Sequence, residues 1–267
     1  MSLRKTAAVM TLCSLSIVLA TCGTAMQVRK DTIPRIKKAA IVSMYCPAMI
    51  TVNNPRQLEV FHLVDMAKES KLKRDEMIAA FRPRGLFLLG VAQEELTARL
   101  STSLGWEIKP LSALVKKASY GPLKQWNSSA GSGEFSLMMS AEGGAFLWLN
   151  EKDGALRDAL KKFCAAEGLD AVIIASFDFA YTKGPWRAEG TFPAAKANTF
   201  TGLQVVNREG LTVIDMPRAD RRDRDFADFS DEAMQIKGWA ADINEKTINY
   251  YKSSIRKSVV KVVGRIR

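Results

Sequence analysis

The side chains suited to acid–base or metal chemistry are few: one histidine, His62, four cysteines and 28 acids among 267 residues. Glu59, Asp65 and Glu69 share a predicted helix flank with His62, a set able to form an ion pair or help hold a metal. One imidazole among solvated carboxylates is ordinarily a helix surface, however, and no metal ligand is assigned. A Ser-His-Asp triad would have to be built on His62 alone, and Gly131-Ser132-Gly133 lacks the strand-to-helix setting of a nucleophilic serine. Gly-x-Ser-x-Gly, Walker A, Cys-x-x-Cys and His-Glu-x-x-His are absent from the sequence. A carboxylate pair of the kind that hydrolyses glycosides stays open, since 28 acids allow many pairs. Asp178, inside an apolar run, is the unusual acid, and its alternation with Phe177 and Phe179 places it on the less buried face of a strand. The tryptophans share no spacing that would build a sugar platform. The residues give no catalytic site and no cofactor.

The cysteines carry a different chemistry. Arg4 and Lys5 precede an uncharged apolar run from Thr6 to Ala20 that ends at Leu19-Ala20-Thr21-Cys22. An apolar stretch of about 15 residues behind a basic start is short for a bilayer span and has the composition of a bacterial secretory signal. Leu-Ala-small-Cys resembles the lipobox at which bacterial lipoproteins are cut, which would leave Cys22 as an acylated N-terminus. Gly23 follows it in place of the aspartate that often retains lipoproteins at the inner membrane. The alternative is cleavage after Gly23-Thr24-Ala25, releasing a soluble periplasmic protein. Cys13 leaves with the signal, so Cys46 and Cys164 are the remaining thiols. We expect both to be buried and free, although an oxidising compartment permits a bridge between them.

Charge is the second bulk feature. The chain carries 39 lysines and arginines against 28 acids; loss of Arg4 and Lys5 leaves 37 against 28, or +9. Arg29, Lys30, Arg35, Lys37 and Lys38 cluster near the start of the body, opposed only by Asp31. Lys252, Arg256, Lys257, Lys261, Arg265 and Arg267 close the chain with no acid among them. For an exported protein these six residues suit an anionic surface: lipid headgroups, lipopolysaccharide phosphates or an acidic wall polymer. Nucleic acid is not expected as a partner. A solvated helix face with a frayed end is the competing reading.

The elements follow from periodicity. Residues 1–22 form the signal, 23–36 a polar, basic tether, and 37–267 one α/β domain ending in a long helix. Residues 39–45 read as a strand buried on both faces. Val60, Leu63, Val64 and Ala67 mark an amphipathic helix over 57–69. A second helix over 74–81 is stopped by Pro83, and a third over 91–104 is ended by Gly105. A strand at 106–111 and a short helix reaching Tyr120 come next. Alternation over 135–141 and the turn Glu142-Gly143-Gly144 predict a hairpin with 145–149. A helix then stops at Gly168, 171–179 is a central strand, and 199–206 pairs with 211–216 around Asn207-Arg208-Glu209-Gly210. Ile236, Ala240 and Ile243 begin the last helix.

That order is an α/β sandwich with a mixed sheet. Three local patterns give it a likeness: Leu104-Gly105-Trp106-Glu107-Ile108-Lys109-Pro110 leading to Tyr120; Gly168-Leu169-Asp170-Ala171-Val172-Ile173-Ile174; and Leu203-Gln204-Val205-Val206-Asn207-Arg208-Glu209-Gly210 after residues 194–198. With the lipobox they make the chain resemble the CsgG/LpoB/TolB-N-terminal group, an anticodon-binding-domain-like fold of envelope lipoproteins. The resemblance implies a non-enzymatic scaffold or regulator that binds another envelope protein, held by its N-terminal lipid on the periplasmic side of the outer membrane. Two other functions are weighed against it, a wall-active hydrolase using a carboxylate pair and a CsgG-like pore. The predicted hairpin arms, about seven and five residues, fall short of the 9 to 11 that a spanning strand needs.

Overall fold

The computed structural model describes residues 26–48, 51–53, 60–61, 71–126, 138–150, 152–187, 193–216, 228–229, 234–235 and 245–267. Strands β1 (Gln27–Val28), β2 (Lys38–Pro47), β3 (Thr51–Asn53) and β4 (Val60–Phe61) precede helix α1 (Lys71–Leu104). Then come β5 (Glu107–Lys109), β6 (Met138–Ser140), helix α2 (Gly154–Glu167) and strands β7 (Ala171–Arg187), β8 (Pro193–Asn207) and β9 (Thr212–Met216). The two-residue strands β10 (Asp228–Phe229) and β11 (Met234–Gln235) and helix α3 (Glu245–Gly264) complete the order. The strands form one mixed sheet, in the order β1-β9-β8-β7-β2-β5.

β7 and β8 are the spine of that sheet, paired antiparallel from Ala171 with Asn207 to Lys183 with Ala195 and again at Arg187 with Pro193. Ala171–Ser176 pairs in parallel with β2, and Ala180–Thr182 pairs in parallel with β3. β8 meets β9 along Leu203–Val206, and β10 and β11 further from that end. The sheet is thus two overlapping sets of strands that share one long antiparallel pair.

Both faces are covered, which explains the near-continuous apolar run in β2. On one face α3 lies across β7 and β8: Tyr251 meets Phe179 edge-on, its ring centroid 6.3 Å away. On the other face lie α2 and residues 144–150. Phe163 of α2 meets Tyr120 at 6.0 Å, and Gly168, at φ 63°, ends α2 in the left-handed conformation that glycine adopts without strain.

Several expectations change. Residues 26–36 are not a tether: β1 pairs with β9, and Ile33 and Ile36 are buried, since a segment carrying two isoleucines gains more by packing than by solvation. Val60 and Phe61 form a strand with β3 and not the start of a helix; residues 62–70 lie outside the described residues. Pro83 does not divide two helices but sits inside the single helix α1. The ring removes one donor, while Leu88, Leu89, Ala92, Leu96 and Leu100 are buried beyond it.

The hairpin over 135–149 is also replaced. Met138–Ser140 pairs antiparallel with Tyr45–Pro47 of β2, and residues 144–150 run without strand pairing across the sheet. Side chains hold that segment instead. Ser43 Oγ donates to the Ala145 carbonyl at 2.6 Å and accepts from the Leu147 amide at 3.0 Å. Gln204 accepts from the Leu149 amide and donates to its carbonyl, each at 2.9 Å. A register shift between Ile41 and Ser43 brings Ser43 to this face.

Asp178 is not on a less buried face: it has no exposed surface, because β7 is covered on both sides. Cys46 and Cys164 are buried and unbridged. The C-terminal end is no frayed tail, since Tyr251, Ile255, Val259, Val262, Val263 and Ile266 all enter the core. Ile236, Ala240 and Ile243 lie outside the described residues.

Candidate functional site

Cys22 lies outside the described residues, as do His62, Glu59, Asp65 and Glu69. The six C-terminal basic residues are described, and the helical period of α3 decides where they go. Its apolar residues recur at 251, 255, 259, 262 and 266 and face the sheet, so Lys252, Arg256 and Arg267 are exposed while Lys257, Lys261 and Arg265 flank them, half-buried. Beneath the exposed row α1 runs alongside in the same direction. Lys252 Nζ lies 5.3 Å from the centroid of the Phe87 ring, Arg256 Nε donates to Glu95 Oε1 at 3.0 Å, and Arg267 Nη2 approaches the Ser103 carbonyl at 3.4 Å. The patch expected from sequence is therefore one side of a two-helix face, and Arg256 within it is engaged by an acid.

A shallow groove of about 540 Å³ separates the helices, floored by Phe87, Gly90, Val91 and Ala98 and rimmed by Glu94 and Glu95 opposite Lys252 and Arg256. Leu86, Phe87 and Val260 are 39%, 47% and 43% exposed on this side of the molecule, high values for large apolar residues. A second hollow of about 550 Å³, open to solvent, adjoins it where Arg82, Leu86, Gln93, Met138, Glu142 and Phe146 meet. The sequence does not announce Leu86 and Phe87, because Pro83 reads as the end of a helix just before them. A helical period continued through Pro83 is the signal that would have found them.

The remaining polar clusters hold the fold. Asp170, in the turn between α2 and β7, accepts the amides of Lys37 and Lys38 at 2.9 Å each. Burial pushes its carboxyl up, but those two amides and Arg208 outweigh it and hold the group below its ordinary value. Hydrogen bonds from Lys117 and Ser119 hold Glu167 below its ordinary value too. Burial, with Asp170 and Glu209 adding to it, pushes the Cys164 thiol up to about 12, so it stays protonated and is a poor nucleophile. Asp178 presents no surface to a substrate. Among the described residues, no three metal-ligating side chains gather as a site, and no helix is long and apolar enough to cross a membrane.

The N-terminal segment meets the two-helix face at one end. Lys30 Nζ donates to the carbonyl of Arg267 at 3.0 Å, so residue 30 sits where α1 and α3 both finish. No family model matches the chain, and no match to it is found among the curated proteins or the solved structures.

Proposed function

We propose that this chain is an exported bacterial lipoprotein of the outer membrane, acylated at Cys22, whose single domain on the periplasmic side is not an enzyme and acts by binding another envelope component. The observation that carries this reading is the N-terminal sequence, Arg4-Lys5, the uncharged run 6–20 and Leu19-Ala20-Thr21-Cys22. The start of the fold is in keeping with it. Gln27 is already paired in the sheet, and five residues of extended chain reach at most about 18 Å, so an acylated Cys22 would hold the domain against the bilayer. The likeness to envelope scaffolds supplies the function class, and the candidate carboxylate of the hydrolase reading, Asp178, is inaccessible.

Metabolic labelling with a fatty acid tests the assignment. Wild type incorporates label and fractionates with the outer membrane; Cys22→Ala incorporates none. Equal labelling of the two, or none in either, would remove the lipoprotein reading. Crosslinking in intact cells followed by mass spectrometry then identifies the bound component.

A further inference from the structure

We propose that the outer face of the α1–α3 helix pair lies on an anionic phospholipid surface, with Leu86, Phe87 and Val260 at headgroup depth and Lys252 and Arg256 beside lipid phosphates. This rests on the lipoprotein reading for the location of the protein, but on separate residues for the contact. Helices that lie in a bilayer interface combine large exposed apolar side chains with Lys and Arg along the same face. Here three such apolar residues are more than a third exposed, and among the described residues the exposed charges of the two helices and the chain end beyond α3 are Arg82, Arg99, Lys252, Arg256 and Arg267 against Glu94, with Glu142 beside Leu86 at the margin. The half-buried Glu95 is already held by Arg256.

Geometry adds a second argument. The pairings Phe87 with Lys252, Glu95 with Arg256 and Ser103 with Arg267 ascend both helices together, so the face is long, about 24 Å from residue 87 to 103 at 1.5 Å per residue. Lys30 meets Arg267 at its far end, and the eight residues from 22 to 30 span at most about 29 Å. An acyl chain on Cys22 would enter the bilayer beside the end of this face, and the domain would lie along the membrane. The lysine above the Phe87 ring gains in the same place, since a cation over an aromatic face can pair with phosphate on its other side.

The test uses the full chain, purified from bacterial membranes and reconstituted into phosphatidylcholine vesicles with or without phosphatidylglycerol. A polarity-sensitive fluorophore is placed by Ala98→Cys in the groove. The chain should float with both vesicle types, through its anchor. The probe should be shielded and quenched by brominated lipid only where phosphatidylglycerol is present, and molar salt, which shortens the Debye length to about 3 Å, should return it to water. Lys252→Gln with Arg256→Gln should weaken the shielding about 25-fold in phosphatidylglycerol dependence, at about fivefold for each cation. Phe87→Ser should reduce the quenching and leave flotation intact. Point substitutions at exposed positions are used because truncating α3 would remove core residues; an unchanged circular dichroism spectrum confirms that each variant folds.

Flotation with both vesicle types while the probe stays in water would overturn the face and leave the anchor standing. Flotation only with phosphatidylglycerol vesicles, with the probe shielded, would remove the anchor and support the face. Shielding that persists without vesicles would show that a protein segment covers the groove and would overturn the proposal, as would failure to float with either vesicle.

Discussion

At the scale of single residues, Tyr120 shows how one polar group joins three segments. Its hydroxyl donates to the Val42 carbonyl at 2.6 Å, beside the register shift of β2, and accepts from the Ala145 amide at 2.8 Å. Gly144 leaves room next to it: a Cβ there would stand 2.8 Å from a terminal methyl of Leu111 and 3.2 Å from the Tyr120 oxygen, and both would have to shift. Tyr120→Phe strands a buried amide, so we expect a loss of about 1–3 kcal/mol in urea unfolding. A pH signature accompanies it. Burial pushes the phenol up to about 12, with the Ala145 amide opposing, above the unfolded value of about 10. Between these values the unfolded chain has released the proton that the folded protein keeps. The contribution is full below about pH 10 and is lost as pH rises towards 12. The stability of wild type should therefore fall more steeply than that of Tyr120→Phe over this window, and parallel curves would show that the phenol ionises in the folded state as readily as in the unfolded.

At the scale of elements, the join between α3 and β8 is made by hydroxyl pairs in a layer that is otherwise apolar. Ser254 Oγ donates to Thr199 Oγ1 at 2.9 Å, and Ser258 and Thr201 share a hydrogen bond of 2.7 Å. Two residues of strand advance about 6.6 Å and four of helix about 6 Å, so the two repeats coincide and fix how far the helix slides along the strand. Ser258→Ala should cost about 1–3 kcal/mol by leaving a buried hydroxyl alone. Adding Thr201→Val should cost less than the sum of the single changes, with a coupling near 1 kcal/mol in a double-mutant cycle; strict additivity would show that the pair does not interact. These residues also mark where the sequence stops being legible. Strand 171–179, the turn at Gly210 and the stop at Gly168 could be read because apolar runs and positive-φ glycines are local signals. Thr199, Thr201, Ser254 and Ser258 could not, since a hydroxyl reads as surface until its partner is known. Alternation over 135–141 misled for the same reason. The pairing partner of its described part, 138–140, was 45–47, far away in sequence, and Ser43 and Gln204 supplied the bonds that 145–149 would have made in a hairpin. Of the candidate site, the basic side on α3 was visible as a charge run, and the apolar side on α1 was hidden by a proline that bends to packing.

At the scale of the whole molecule, the shared β7–β8 pair makes the body of the sheet one cooperative unit, and the N-terminal segment joins it at an edge. β1 contributes two residues to the edge of β9, the Arg29 amide on the Val213 carbonyl, at 2.8 Å, and the Lys30 contact extend that hold, and Ile33 and Ile36 pack behind it. Mechanical load gives this margin a role. If Cys22 is acylated as proposed, tension on it would enter the fold here, at an edge where bonds break in succession, while β2 and β7 lie inside the sheet. We expect pulling between residue 22 and the turn at 208–210 to release residues 26–36 first, in a small reversible step of at most about 40 Å at 3.3–3.6 Å per residue, before the body unfolds at higher force. A single rupture without that precursor would mean that β1 breaks only with the core. Under the proposed anchoring, the edge strand would be a slack element in series with the lipid, one that lengthens under a tug on the domain while the sheet behind it stays folded.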